Sequence, residues 1–303
     1  MSPRYRFSGH ETFPFRYPWP LKGVRGLLRD PGLFFREDSI VTLGVGKNMV
    51  ASIRFWLEAL GLAVIDGRAR LGYPTELGRK LLREGGWDPY LEDPATLWLL
   101  HWQLVESPEI ASTWSLVFSN WIRSGFTRAE LLDWLEEVAQ EAGNQRTSRN
   151  SLKRDVEVFV RTYVRGRPER RRSIEDTFDC PLVELGLIRT ASRDLYWLGR
   201  DTRSTLPVEV FAYALASYWK AHADEQQTLT FERLLYGRGS PGAAFKLSEA
   251  GLAALVESLP DWSGFDYDET GGLRLVIRRE RGSLDPIGLL EMYYTQNADE
   301  AAA

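Results

Sequence analysis

The chain holds a single cysteine, Cys180, which excludes an intramolecular disulfide and suits a reducing compartment. It holds three histidines, His10, His101 and His222, and none has a His or Cys neighbour at the spacing of a metal site. Nowhere do about 18 apolar residues follow one another, so no membrane span is read. Residues Met1–Pro20 are polar and aromatic without a continuous apolar stretch; no signal peptide is read there, and a cytoplasmic location is expected. A complete catalytic motif is also lacking. In Gly44-Val45-Gly46-Lys47-Asn48 the phosphate-loop pattern fails twice, with Val41 where glycine is needed and Asn48 where Ser or Thr would hold magnesium. Asp176 and Asp179 flank Phe178, but no lysine follows them in a nuclease-type pattern. Cys180 precedes a proline in an apolar stretch and reads as structural. The expectation is therefore no catalytic residue, no metal and no cofactor. For the adjacent His10 and Glu11, a metal reading yields to a His–Glu pair that hydrogen-bonds the N-terminal arm in place.

Aromatic residues are plentiful: 11 Trp, 12 Tyr and 14 Phe in 303 residues, many at helical spacing, which predicts large aromatic cores. The formal charge of −4 hides an asymmetry. From Asn144 to Arg172 ten Lys/Arg face three Asp/Glu, a net of +7, and −4 less +7 leaves −11 elsewhere. A local basic stripe on an acidic chain fits a defined DNA contact surface better than indiscriminate coating.

Leu43–Leu60 is the most informative stretch. A glycine-punctuated turn runs into an amphipathic helix, with Asn48 as a candidate N-cap and Met49, Ile53, Trp56, Leu57 and Leu60 on one face. Lys47, Asn48, Ser52 and Arg54 fall off that stripe, where a recognition helix carries its polar and basic residues. Then Ala63-Val64-Ile65, an Asp66-Gly67 turn and a returning strand with Arg68 and Arg70 read as a hairpin. Helix, turn, helix and two-stranded wing is the outline of a winged helix-turn-helix. Ahead of it, residues 1–23 read as an extended arm, since Pro14, Pro18 and Pro20 block a long helix.

A second such outline lies downstream. Thr127 and Glu130 form a capping box, Gly143 ends that helix, and a Ser-rich turn leads to a helix with Leu152, Val156, Phe159, Val160 and Tyr163 buried. Arg149, Lys153, Arg154, Arg161 and Arg165 sit off that face and could grip phosphates, with Arg167 and Arg170–Arg172 extending the run. Helix pair followed by hairpin recurs a third time near the C-terminus. The expected fold is mainly α, with tandem winged helix-turn-helix-like units, short β-hairpins and a helical middle region. Its expected segments are 1–86, 87–205 and 206–303.

The strings FSGHETFPFR, LGVGKNMVASIRFWLEALGL, DPYLEDPATLWLLHWQL, FDCPLVELGLI and GSPGAAFKLSE resemble those of one bacterial family, domain-of-unknown-function family 4007, over about residues 7–275. Members are associated with phage-defence loci, often beside genes for sulfur-based DNA modification and a sulfate-reductase-like protein. The resemblance implies a part in DNA modification, restriction or their regulation, and it brings no catalytic residues with it. The expected partners are double-stranded DNA and other proteins of the same defence locus; a homodimer is left open. The competing expectations are an adaptor that assembles a defence complex and a cryptic nuclease.

Overall fold

The computed structural model describes residues 5–143, 147–166, 180–280 and 285–302. The chain divides into two compact units, Met1–Val117 with Ile122–Gly199 and Phe118–Trp121 with Arg200–Ala303. Residues 1–117 and 122–199 thus share one unit, and no unit boundary falls at 86. The glycines at 85 and 86 end a helix without ending a core, because Trp56 packs edge-on to Trp114 at 5.3 Å.

In chain order the first unit begins with α1 (Pro18–Arg29), α2 (Ser39–Leu43), α3 (Lys47–Ala59), β1 (Ala63–Asp66), β2 (Leu71–Pro74) and α4 (Glu76–Leu82). The helix starts inside the stretch expected to be extended: Pro18 and Pro20 occupy its first turn, where a missing N–H costs nothing. α2 stops at Gly44, whose φ of 63° is the left-handed conformation that releases the chain toward α3. Gly46, not Asn48, is the N-cap of α3, and Asn48 lies in its exposed first turn. β1 and β2 pair antiparallel from Ala63↔Pro74 to Asp66↔Leu71. Arg68 and Arg70 lie in the turn between them rather than in the returning strand, because Asp66 Oδ1 accepts the N–H groups of Arg68 and Ala69 and rounds the chain into a wider turn. Thr75 caps α4, and Gly78 meets the Leu62 carbonyl so closely that a Cβ would stand 2.1 Å from it.

There follow α5 (Pro94–Val105), α6 (Ser112–Asn120), β3 (Gly125–Thr127), α7 (Arg128–Glu141), α8 (Arg149–Tyr163), β4 (Arg189–Thr190) and β5 (Leu195–Trp197). Ten of the twelve α5 residues are buried, so this helix is apolar around its whole circumference and forms the core. His101 is a satisfied core residue, its ring nitrogen 2.8 Å from the Tyr163 hydroxyl. α7 carries the expected capping box of Thr127 and Glu130.

The second unit contains α9 (Val208–His222), β6 (Thr228–Thr230), α10 (Phe231–Tyr236), α11 (Pro241–Ala244), α12 (Glu249–Glu257), β7 (Phe265–Thr270), β8 (Leu273–Arg278) and α13 (Pro286–Ala302). The stretch GSPGAA closes into the short α11 with Ser240 as its cap. The protein is mainly helical with small antiparallel sheets, and helix, helix, hairpin recurs three times in the element order. The second and third occurrences share a strand order, β3-β5-β4 and β6-β8-β7, in which the strand before the helices pairs with the last strand of the hairpin. In the first, Pro31 stands where that extra strand would, its carbonyl accepting Gly72 N–H at 2.8 Å. No helix among the described residues is long and apolar enough to cross a membrane.

Candidate nucleic-acid interface

α3 divides less evenly than its periodicity predicts. Lys47 and Asn48 are exposed and Arg54 is half-buried, but Ser52 is fully buried and donates to the His10 carbonyl at 2.9 Å. Ser52 therefore leaves the set of residues that can face DNA. The cause is the N-terminal arm, which folds back over the Ser52–Phe55 side: His10 packs edge-on to Phe55 at 5.7 Å, and Trp56 Nε1 donates to the Phe13 carbonyl. Periodicity within the helix cannot show a face covered from elsewhere in the chain.

The side left open carries Lys47, Ala51 and Arg54, and it forms one wall of a cleft of about 590 Å³. Phe35 and Arg70 supply further walls. The guanidinium groups of Arg54 and Arg70 each lie 5.8 Å from the Phe35 ring centroid, and Arg70 also donates to the Phe35 carbonyl at 2.7 Å. Such stacking holds the charges in place without removing them. Burial pushes the Glu58 carboxyl above its ordinary value, with Arg6 and Arg54 pulling against it. Arg36 lines the same cleft and was not anticipated from sequence. Asp30 and Asp38 bind it at 2.9 and 2.6 Å, so its charge is largely spent. Arg68 is exposed on the hairpin turn, outside the cleft lining.

α8 buries its five expected residues and also Asp155, Val158 and Thr162. Its predicted cations separate into three kinds. Arg149 is held by Asp133 at 2.5 Å and by Glu136, both on α7, so its guanidinium is already occupied. Lys153 and Arg154 are exposed, with no carboxylate against them among the described residues. Arg161 donates to the Thr12 carbonyl at 3.3 Å, and Arg165 lies exposed just past the helix. Arg167, Arg170–Arg172, Asp176 and Asp179 lie outside the described residues.

His10 is bound differently from the expected pairing with Glu11, which is exposed. Its Nε2 lies 2.8 Å from Asp155 Oδ1, and its Nδ1 accepts Thr12 N–H at 3.1 Å. Asp155 also accepts Ser8 N–H at 2.7 Å and the Thr113 hydroxyl at 2.7 Å. The partner is 145 positions away in sequence, so no local pattern pointed to it. Four residues here have positive φ: Ser8 at 69°, Gly9 at 115°, Glu11 at 48° and Thr12 at 66°. For each non-glycine residue that conformation costs about 1–2 kcal/mol, which the surrounding bonds must offset.

These features define a mainly helical protein with small antiparallel sheets and a cationic cleft beside α3. The chain belongs to the family described as "Protein of unknown function (DUF4007)", whose model matches residues 7–294. Two solved structures are similar to it. One, titled a magnesium ion-bound SspB crystal structure, superposes with a TM-score of 0.86 at 32% identity, covering 95% of this chain and 88% of that one. The other, titled an SspB crystal structure, gives 0.84 at 30% identity with the same coverage. No curated protein matches the chain.

Proposed function

We propose that the chain is a non-catalytic DNA-binding protein of a DNA-modification or phage-defence system. In this reading α1, α2, α3 and the β1–β2 hairpin act as a winged helix-turn-helix. Lys47 and Asn48 enter the major groove, while Arg68 and Arg70 meet the backbone beside it. Lys153, Arg154, Arg161 and Arg165 hold phosphates. The observation that carries it is the cleft itself: Lys47, Arg54 and Arg70 converge on one concavity, and none is in a salt bridge among the described residues. The family resemblance and the likeness to SspB support this setting, and other proteins of the same locus are the partners proposed with it.

Magnesium is named for one of the similar structures. Among the described residues no three His, Cys, Asp or Glu side chains gather where they could hold a cation. A second reading, an adaptor for other proteins of the locus, is favoured by one feature. Val64 and Tyr73, cross-strand partners on β1 and β2, are 65% and 54% exposed, an apolar pair where a backbone-contacting wing carries cations.

Fluorescence anisotropy with labelled duplexes separates these readings. Binding at low salt that weakens steeply as salt rises is the expected result; no binding at low salt overturns it. A stable complex with a neighbouring gene product formed without DNA would shift the reading to the adaptor. Strand cleavage on adding magnesium would shift it to a nuclease.

A further inference from the structure

We propose that the segment Ser8–Phe13 is a strut that sets the spacing between α3 and α8, with His10 as its positioning residue. The functional consequence rests on the DNA reading above; the mechanical claim does not.

The segment is bonded on two sides. Toward α3, Ser52 donates to the His10 carbonyl and Trp56 Nε1 to the Phe13 carbonyl, both at 2.9 Å. Toward α8, Asp155 accepts from His10 Nε2 at 2.8 Å and from Ser8 N–H at 2.7 Å, while Arg161 reaches the Thr12 carbonyl at 3.3 Å. Because Nδ1 accepts Thr12 N–H, the ring proton sits on Nε2 and is the one given to Asp155. His10 and Asp155 are each 1% exposed and Ser52 is 0% exposed, so water cannot substitute for these bonds. A loop that ordered only itself would not need partners on both helices. Positive φ at Ser8, Gly9, Glu11 and Thr12 persists only where the surroundings over-determine it.

Adhesion between the helices has another source. Trp114 of α6 touches Trp56 at 5.3 Å and Phe159 at 6.0 Å, joining α3 to α8 through edge-on aromatic rings. Apolar contact is non-directional and tolerates sliding. Hydrogen bonds of fixed length and angle do not, so the strut sets the register that the rings leave open. On DNA, a fixed spacing makes the α8 contact intramolecular once α3 is seated, which multiplies affinity only while the spacing matches the duplex.

The test measures spacing first. Spin labels are placed at Asn48→Cys and Glu157→Cys; native Cys180, buried at 2%, stays unlabelled. Distance distributions by pulsed electron resonance should be narrow in the wild-type background. They should remain so in His10→Gln, which keeps a donor toward Asp155 and an acceptor for Thr12 N–H. They should broaden or shift in His10→Leu. A narrow, unmoved distribution in His10→Leu overturns the proposal. If His10→Leu does not fold, Ser52→Ala with Trp56→Phe, which removes both hydrogen bonds to α3 and keeps an aromatic ring at 56, should broaden the distribution, and an unchanged one overturns the proposal equally. No DNA is present, so this outcome is independent of the DNA reading. Affinity is the second readout. His10→Leu should bind a duplex long enough for both helices about tenfold more weakly and a duplex reaching only α3 unchanged, with His10→Gln restoring the first. An equal loss on both duplexes overturns the positioning role.

Discussion

The two compact units repeat one arrangement and carry opposite charge. β3, α7, α8, β4 and β5 in the first match β6, α10, α12, β7 and β8 in the second, down to the strand order of their sheets. Yet Arg200–Ala303 holds 10 Lys/Arg against 16 Asp/Glu, a net of −6, which leaves +2 on Met1–Gly199. The helices in corresponding positions show the contrast best. α8 exposes Arg149, Lys153, Arg154 and Arg161 beside Glu157. α12 exposes Glu249, Ala250, Ala254 and Glu257 and no cation, and Arg274 pairs with Glu249 at 2.8 Å. Shared architecture therefore says nothing of shared partners; the surface side chains decide. Phosphate binding belongs to the first unit on this reading.

The largest expected effect reverses the contrast at its source. Lys47→Glu with Arg54→Glu should lower DNA affinity by roughly a hundredfold or more, since each contact of this kind contributes about 1–3 kcal/mol. Glu249→Lys with Glu257→Lys should leave affinity unchanged. If the second pair alters binding as much as the first, the two units do not differ as claimed. Next in size are the α8 cations. Lys153→Ala and Arg154→Ala should weaken all duplex sequences alike and each reduce the slope of affinity against salt by about 1. Arg149→Ala should change that slope less, because Asp133 and Glu136 already occupy its guanidinium. Titrations at several salt concentrations rank the three.

Sequence patterns exposed local features and missed those made by distant parts of the chain. The capping box at Thr127, the hairpin at Asp66 and the buried face of α8 are each written within a few residues, by side-chain chemistry or by helical period. The burial of Ser52 depends on an arm forty-two positions earlier, and the His10–Asp155 bond spans 145 positions. Arg149 looked like the first of a row of free cations because its carboxylate partners lie on another helix. The cleft was half legible: Lys47 and Arg54 lie seven apart on one helical face, but only folding brings Arg70 and Phe35 to them.

The units also differ in how stability should depend on pH. In the first, burial raises the Glu106 carboxyl to about 7. The folded state then binds a proton that the unfolded state has lost, so this contribution is present below about pH 4.5 and declines as pH rises to about 7. In the second, burial lowers the Lys246 ammonium to about 7, with Arg200 and Arg203 adding to the shift. There the unfolded state binds the extra proton, so the contribution is lost as pH falls from about 10.5 to about 7. Urea unfolding against pH should show the gap between Glu106→Gln and wild type changing only between about pH 4.5 and 7, and the gap for Lys246→Met changing only between about pH 7 and 10.5. Overlapping windows would mean the two groups do not titrate as their burial dictates.

The smallest effect probes what the units share. Thr127 and Thr230 each end a strand and cap the next helix, accepting the N–H of Glu130 and of Arg233. The two duties are compatible because both require extended backbone: φ and ψ are −96° and 160° at Thr127 and −72° and 148° at Thr230. Threonine suits them, its β-branch favouring the strand and its hydroxyl supplying the cap. Thr127→Ala and Thr230→Ala should therefore each cost about 1 kcal/mol in urea unfolding, neither changing DNA affinity. A cap that matters in one unit and not in the other would show that the strand-to-helix junctions are alike in outline only. Equal costs with unequal DNA binding would place the functional difference in the exposed charges of α8 and α12.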